Sequence, residues 1–181
     1  GVYNYQTGEI LCAVTSPSYD PDNMPDVDSD TTGAYTGVYL NRFFDVTYTP
    51  GSIFKLVTSA AAIENIPDID SQSFQCNGSS IIGGQKIVCE GVHGTIDFKN
   101  GLAHSCNNVF GDIAVQVGGK TLERYAKKAG LTEALSCDGY TTAKGSVDLS
   151  AADDGDVAWA GIGQYTDQVS AYAFMRFMGV I

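Results

Sequence analysis

At 181 residues and 19.1 kDa, the chain has room for one domain or most of one. Its 44% hydrophobic and 10% aromatic content supplies a sizeable core and excludes wholesale disorder. Lys and Arg total 10 against 21 Asp and Glu, a net charge of -11 with no cationic cluster, so no nucleic acid partner is expected.

The chain contains no apolar run of membrane-spanning length and no signal-peptide pattern. Gly1-Val2-Tyr3-Asn4-Tyr5 already reads as strand, so the chain is expected to be cut from a longer parent. Tyr3 to Val14 predicts a β-hairpin, with alternating apolar residues around Gln6-Thr7-Gly8. Ser16 to Gly37, with Pro17, Pro21, Pro25 and repeated Asp, predicts a long surface excursion. After Tyr48-Thr49-Pro50-Gly51, the segment Ser52 to Glu64 predicts a helix that is apolar on most faces and therefore central and buried. Pro67 ends it.

Phe74 to Cys89 predicts a hairpin turning at Gly83-Gly84. Thr95 or Asp97 is placed to cap a short helix through His104. Asn107 to Val117 predicts a helix with Val109, Phe110, Ile113, Ala114 and Val117 along one side, stopped by Gly118-Gly119. Thr121 to Ala129 follows as a short amphipathic helix closed by Gly130. Residues 138–157 read as polar loop, and a last helix is expected from about Asp167 to Gly179. Strands at the front and helices behind predict an α+β fold with a mainly antiparallel sheet.

Five cysteines cannot all pair within one chain. Cys76 and Cys89 flank the predicted Gly83-Gly84 turn, which leaves open either a cross-strand disulfide or two buried thiols. Cys76, Cys89, His93 and His104 offer four metal-ligand types, but Cys89-x-x-x-His93 lacks the short Cys-x-x-Cys knuckle, so the zinc signal is weak. Asp26-Val27-Asp28-Ser29-Asp30 departs from a calcium loop at Thr31, where the sharp-turn Gly belongs, and at Gly37. That segment and Asp153-Asp154-Gly155-Asp156 are expected to be solvated acidic loops.

Two constellations carry chemistry. In Ser52-Ile53-Phe54-Lys55, residues three apart on a helix share a face, which puts an amine beside a hydroxyl at the helix start. Ser becomes a nucleophile when a base takes its proton, and Lys acts as that base when burial disfavours its ammonium. The helix N-terminus adds partial positive charge that favours an oxyanion. Ser-x-x-Lys alone is weak, with a capping Ser and a solvated Lys as the alternative. The second constellation is Ser105-Cys106-Asn107, where the hydroxyl and amide can both point into a cleft to relay a proton and hold a carbonyl or an amine. Its alternative is helix capping by Ser105 or Asn107.

On these motifs the chain resembles the transpeptidase domain of penicillin-binding proteins, which shares the serine β-lactamase-like fold. The family carries Ser-x-x-Lys, Ser-x-Asn and Lys-Thr/Ser-Gly in that order. The likeness extends to Thr7-Gly8-Glu9-Ile10-Leu11, Pro17-Ser18-Tyr19-Asp20-Pro21, Asn41-Arg42, His93-Gly94 and Gly161-Ile162-Gly163-Gln164. It implies Ser52 as acylated nucleophile, Lys55 as proton acceptor, Ser105 as proton shuttle and Asn107 as substrate-holding amide, with the Ser52 N–H as half of an oxyanion hole. It further implies a peptidoglycan D,D-transpeptidase that acts on stem peptides and is acylated by β-lactam antibiotics. Such an enzyme needs no cofactor and works outside the cytoplasmic membrane, to which the parent would be anchored.

No Lys-Thr-Gly or Lys-Ser-Gly occurs: Lys120-Thr121 is followed by Leu122, and Lys144 by Gly145. The domain is therefore expected to span 1–181 and to be incomplete at its C-terminus. A β-lactamase is disfavoured because the Glu-x-x-Leu-Asn pattern of class A enzymes is absent. A D,D-carboxypeptidase, a penicillin-recognising sensor and a non-catalytic scaffold remain as alternatives.

Overall fold

The computed structural model describes all residues from Gly1 to Ile181. Its first elements are β1 (Val2–Tyr3) and β2 (Ile10–Cys12), an antiparallel pair that matches the predicted hairpin. The Pro- and Asp-rich stretch that follows is largely exposed and forms turns and bends, as its composition dictates. The chain re-enters through β3 (Thr47–Tyr48), a 3-10 turn (Gly51–Phe54) and α1 (Lys55–Asn65).

The region predicted as one hairpin is two nested ladders. β4 (Ser73–Cys76) pairs with β7 (Gly94–Asp97), and β5 (Ser79–Ile82) pairs with β6 (Gln85–Val88) around Gly83-Gly84. Cys76 therefore lies opposite Gly94 rather than Cys89, and all five cysteines are free thiols. Asp97 caps α2 (Phe98–Ala103), its carboxylate accepting from the Asn100 amide at 2.7 Å. α3 (Asn107–Val117) and α4 (Gly119–Lys128) follow as read from the pattern.

β8 (Ser136–Cys137) and β9 (Tyr140–Thr141) form a small hairpin in the segment read as loop. α5 (Asp154–Gly161) corrects the acidic-loop reading: Asp153 and Asp156 form a reciprocal capping box at its start. The last helix is shorter than predicted, with β10 (Val169–Ser170) preceding α6 (Ala171–Met178). Asp167 lies ahead of both elements, fully buried, and burial pushes its carboxyl up to about 7.

All strand pairing is antiparallel, as predicted, but it is spread over five two-stranded ladders rather than one sheet. Strands of two to four residues are too short to hold a sheet alone, so they lean on the helices. The main core runs from Phe54, Val57, Ala61 and Ala62 to Val109, Phe110, Ile113 and Ala114, and on to Val157, Ala158 and Ala160. α3 sits between α1 and α5. The segment from Ser52 through α1 is less uniformly buried than expected, because Ile53 and Ile63 face solvent. No helix is long and apolar enough to cross a membrane.

The turn that starts α1 is held by the strip Gly161-Ile162-Gly163. The Gly51 amide donates to the Gly163 carbonyl at 2.9 Å, and the Thr58 hydroxyl donates to the Gly161 carbonyl at 2.7 Å. Gly163 has φ +72°, and a Cβ there would strike the Gly51 carbonyl and approach the Phe54 Cβ to 2.8 Å. Gly163→Ala is expected to cost on the order of 2–4 kcal/mol, from a left-handed backbone plus overpacking. Equilibrium urea unfolding checks this.

Candidate active site

Ser52 lies in the 3-10 turn and Lys55 is the first residue of α1, so the two share a face across one turn. Ser52 is exposed, while Lys55 is only 1% exposed. Ser52 does not cap the helix with its side chain, and Lys55 is not solvated, so both alternatives from the motif are set aside.

The Lys55 Nζ stands at the centre of four oxygens. It donates to the Ser105 carbonyl at 2.6 Å, the Asn107 Oδ1 at 2.7 Å, the Ser105 Oγ at 2.8 Å and the Ser52 Oγ at 3.2 Å. An ammonium has three protons for four acceptors, and Ser52 is the most distant. A neutral amine can keep donors on Ser105 and Asn107 and turn its lone pair to the Ser52 hydroxyl. Nothing nearby forms an ion pair with it. The molecule's two salt bridges, Lys127–Glu133 and Lys128–Glu64, are exposed and lie elsewhere.

Burial is the largest influence on Lys55 and holds its amine below the usual lysine range. Cys89, Cys106 and Glu90 pull the other way and do not reverse the shift. The ring of Phe110, 5.9 Å from the Nζ, forms part of the apolar surround.

The loop between α2 and α3 delivers the acceptors. Ser105 has φ +51°, a left-handed conformation that costs a non-glycine residue about 1 kcal/mol or more. It lets the carbonyl and hydroxyl of one residue both meet the amine. Cys106, not Ser105 or Asn107, is the N-cap of α3, so the capping alternative also falls. The Asn107 side chain is clamped at its other end, its Nδ2 donating to the Val88 carbonyl of β6 at 2.8 Å. Its Oδ1 is thereby assigned to Lys55. Ser52, Lys55, Ser105 and Asn107 thus converge, although 50 residues separate the two motifs.

A cavity of about 550 Å³ lies elsewhere, lined by Val57, Ala60, Tyr125, Ala173 and Phe177 among others. The reactive cluster sits on an open surface instead, with Ser52 and Ser105 exposed above a buried amine.

Comparisons with known proteins bear on the family and the fold. The family model for the penicillin binding protein transpeptidase domain matches residues 1–181. Stage V sporulation protein D of Bacillus subtilis is 31% identical over 75% of this chain and 20% of its own length. Peptidoglycan D,D-transpeptidase PbpA of Mycolicibacterium smegmatis is 30% identical, over 69% of this chain and 28% of its own. Among solved structures, penicillin-binding protein A from M. tuberculosis, as an imipenem acyl-enzyme complex, superimposes with a TM-score of 0.85. That match covers 98% of this chain and 44% of the other at 22% identity, a likeness of fold. The chain thus spans less than half the length of each of these three proteins.

Asn107→Asp tests the electrostatics. A carboxylate at 2.7 Å in place of the amide oxygen would stabilise the ammonium and raise the Lys55 pKa. Fewer amines are then neutral at a given pH, so the rising limb of any Ser52 acylation rate should move to higher pH. A stopped-flow pH profile of the variant against the parent protein checks the shift.

Proposed function

The chain belongs to the penicillin-binding protein transpeptidase family, and we propose from that membership that it carries the acyl-transfer centre of a peptidoglycan D,D-transpeptidase. The observation that carries the reading is the buried Lys55 amine held between the Ser52 hydroxyl and the Ser105–Asn107 pair. The neutral amine takes the Ser52 proton as the oxygen attacks the penultimate D-alanine carbonyl of a stem peptide. The helix start beneath Ser52 favours the oxyanion that forms, and the Ser52 N–H is the donor it offers.

Collapse of the tetrahedral adduct breaks the peptide bond. The proton on Lys55 passes through the Ser105 hydroxyl, 2.8 Å away, to the departing D-alanine amine. An acceptor amine then attacks the Ser52 ester and the same groups run in reverse. A β-lactam enters as a donor mimic and leaves Ser52 acylated. Asn107 holds the donor's amide and fixes Lys55. These residues contain no Lys-Thr/Ser-Gly motif, so the second oxyanion donor and the carboxylate grip would come from a segment beyond them. The reaction takes place outside the cytoplasmic membrane, where peptidoglycan lies.

Labelled penicillin tests the reading in a protein carrying this domain. Covalent label should be lost in Ser52→Ala and slowed on the order of 10²- to 10⁴-fold in Lys55→Met, as for removal of a general base. Label retained in Ser52→Ala contradicts the assignment of the nucleophile. Rapid release of the label with many turnovers would favour a β-lactamase, and a long-lived adduct without transfer to stem-peptide mimics would favour a sensor.

A further inference from the structure

The segment 163–170 holds the approach to the nucleophile, 47–51, along its length. The Gly51 amide donates to the Gly163 carbonyl at 2.9 Å, and the Gln168 Nε2 donates to the Thr49 Oγ1 at 3.0 Å. Val169 and Ser170 pair with Tyr48 and Thr47 as β10 and β3. The segment is itself pinned, because the backbones of Ser146 and Gln168 exchange hydrogen bonds of 2.7 and 2.8 Å. Ser52 follows directly on the stretch held in this way.

In the middle of the holding segment sits Asp167, with 0% exposure. Neither of its carboxyl oxygens has a hydrogen-bond partner in the protein. Buried carboxylates are ordinarily paired or hydrogen-bonded, so this one is costly to ionise in place. No charged side chain offsets that cost. Burial is the main influence on the group, and only the Tyr165 backbone amide opposes it, without completing a hydrogen bond. The ionisable residues on the surrounding elements are engaged elsewhere. Lys144, near the Ser146 bridge, and Tyr48 of β3 are exposed to water. The Tyr165 phenol is raised first of all by Asp156, and Tyr172 at the start of α6 by burial and Cys137.

We propose that Asp167 is a positioning residue for the nucleophile: as the neutral acid it lets segment 163–170 close on 47–51, and as the carboxylate it drives that segment open. The step is the loss of one carboxyl proton to solvent, with no other covalent bond changed. In the closed form burial raises the carboxyl to about 7, whereas the same group released to water ionises at about 3.9. Below both values the acid is neutral in either form, and closure costs nothing. Between them only the open form gains by ionising, so opening becomes easier as pH rises and levels off above about 7. Opening frees Thr49 and Gly51 and slackens the turn that presents Ser52. The effect on acylation rests on the acyl-transfer reading; the effect on the segment does not.

Hydrogen exchange of the 47–51 and 163–170 amides, followed by mass spectrometry in a protein carrying this domain, tests the switch. Exchange in the unaltered protein relative to Asp167→Asn should grow on the order of 10²-fold between pH 5 and pH 8, the intrinsic pH dependence cancelling in the ratio. In the unaltered protein alone, the Gly51 amide should lose protection over the same range, a readout independent of how any variant folds. Ser52 acylation by labelled penicillin should gain more from Asp167→Asn at pH 8 than at pH 5. A side chain that only fills space would change it by one factor at both. The proposal is overturned if the exchange ratio and the protection of Gly51 are flat between the two pH values, or if acylation responds equally at both. A complete absence of acylation would count against the acyl-transfer reading instead, and the exchange ratio would still decide the role of Asp167.

Discussion

A lysine with almost no contact with water and no carboxylate partner is the constraint on which this structure turns. An unpaired ammonium in such a place costs several kcal/mol, and the molecule relieves that cost by lowering the amine's proton affinity. The four oxygens around Lys55 are uncharged, so they orient the amine without restoring its charge. An acidic partner in any of those positions would stabilise the ammonium and leave less neutral amine at a given pH. Acidic residues outnumber basic ones 21 to 10 along the chain, yet none forms an ion pair with Lys55.

Much of the fold is arranged to hold that amine and its oxygens in place. The packing of α1 on α3 supplies the burial, and the Gly161–Gly163 strip sets the turn that presents Ser52. The left-handed Ser105 and the Asn107–Val88 clamp place the oxygens from the far motif. The thiols of Cys76, Cys89 and Cys106 stand directly behind this loop, since Cys106 lies between the two motif residues and the Asn107 amide donates to Cys89 Sγ. Precision at the reacting atoms therefore comes from packing and backbone bonds on three sides.

The sequence was most legible where a local signal decides structure. The i, i+3 spacing alone puts Ser52 beside Lys55, the apolar stripe of Asn107 to Val117 gives its helix, and Asp97 announces the start of α2. It was least legible where pairing partners compete. Alternation in Phe74 to Cys89 cannot tell one hairpin from an inner ladder wrapped by an outer one, so Cys76 was set against Cys89 instead of Gly94. The start of α5 is built from acidic residues and glycine, which disfavour helix interiors, and its signal was the reciprocal Asp153–Asp156 cap. The meeting of Ser105 and Asn107 with Lys55 was available only through the family resemblance, because no local pattern brings residues 50 apart together. The grouping of Cys106 with Cys76, Cys89 and His93 was hidden for the same reason: its neighbours in space come from β4, the end of β6 and the turn before β7.

The central claim is that Lys55 is a neutral amine when it meets the Ser52 hydroxyl. Selective isotope labelling of the lysine side-chain amines, followed by an NMR pH titration with Lys55→Met to assign the signal, reads this directly. The account predicts a Lys55 titration below that of the exposed lysines in the same spectrum. A Lys55 signal that titrates with them, or above them, would contradict it.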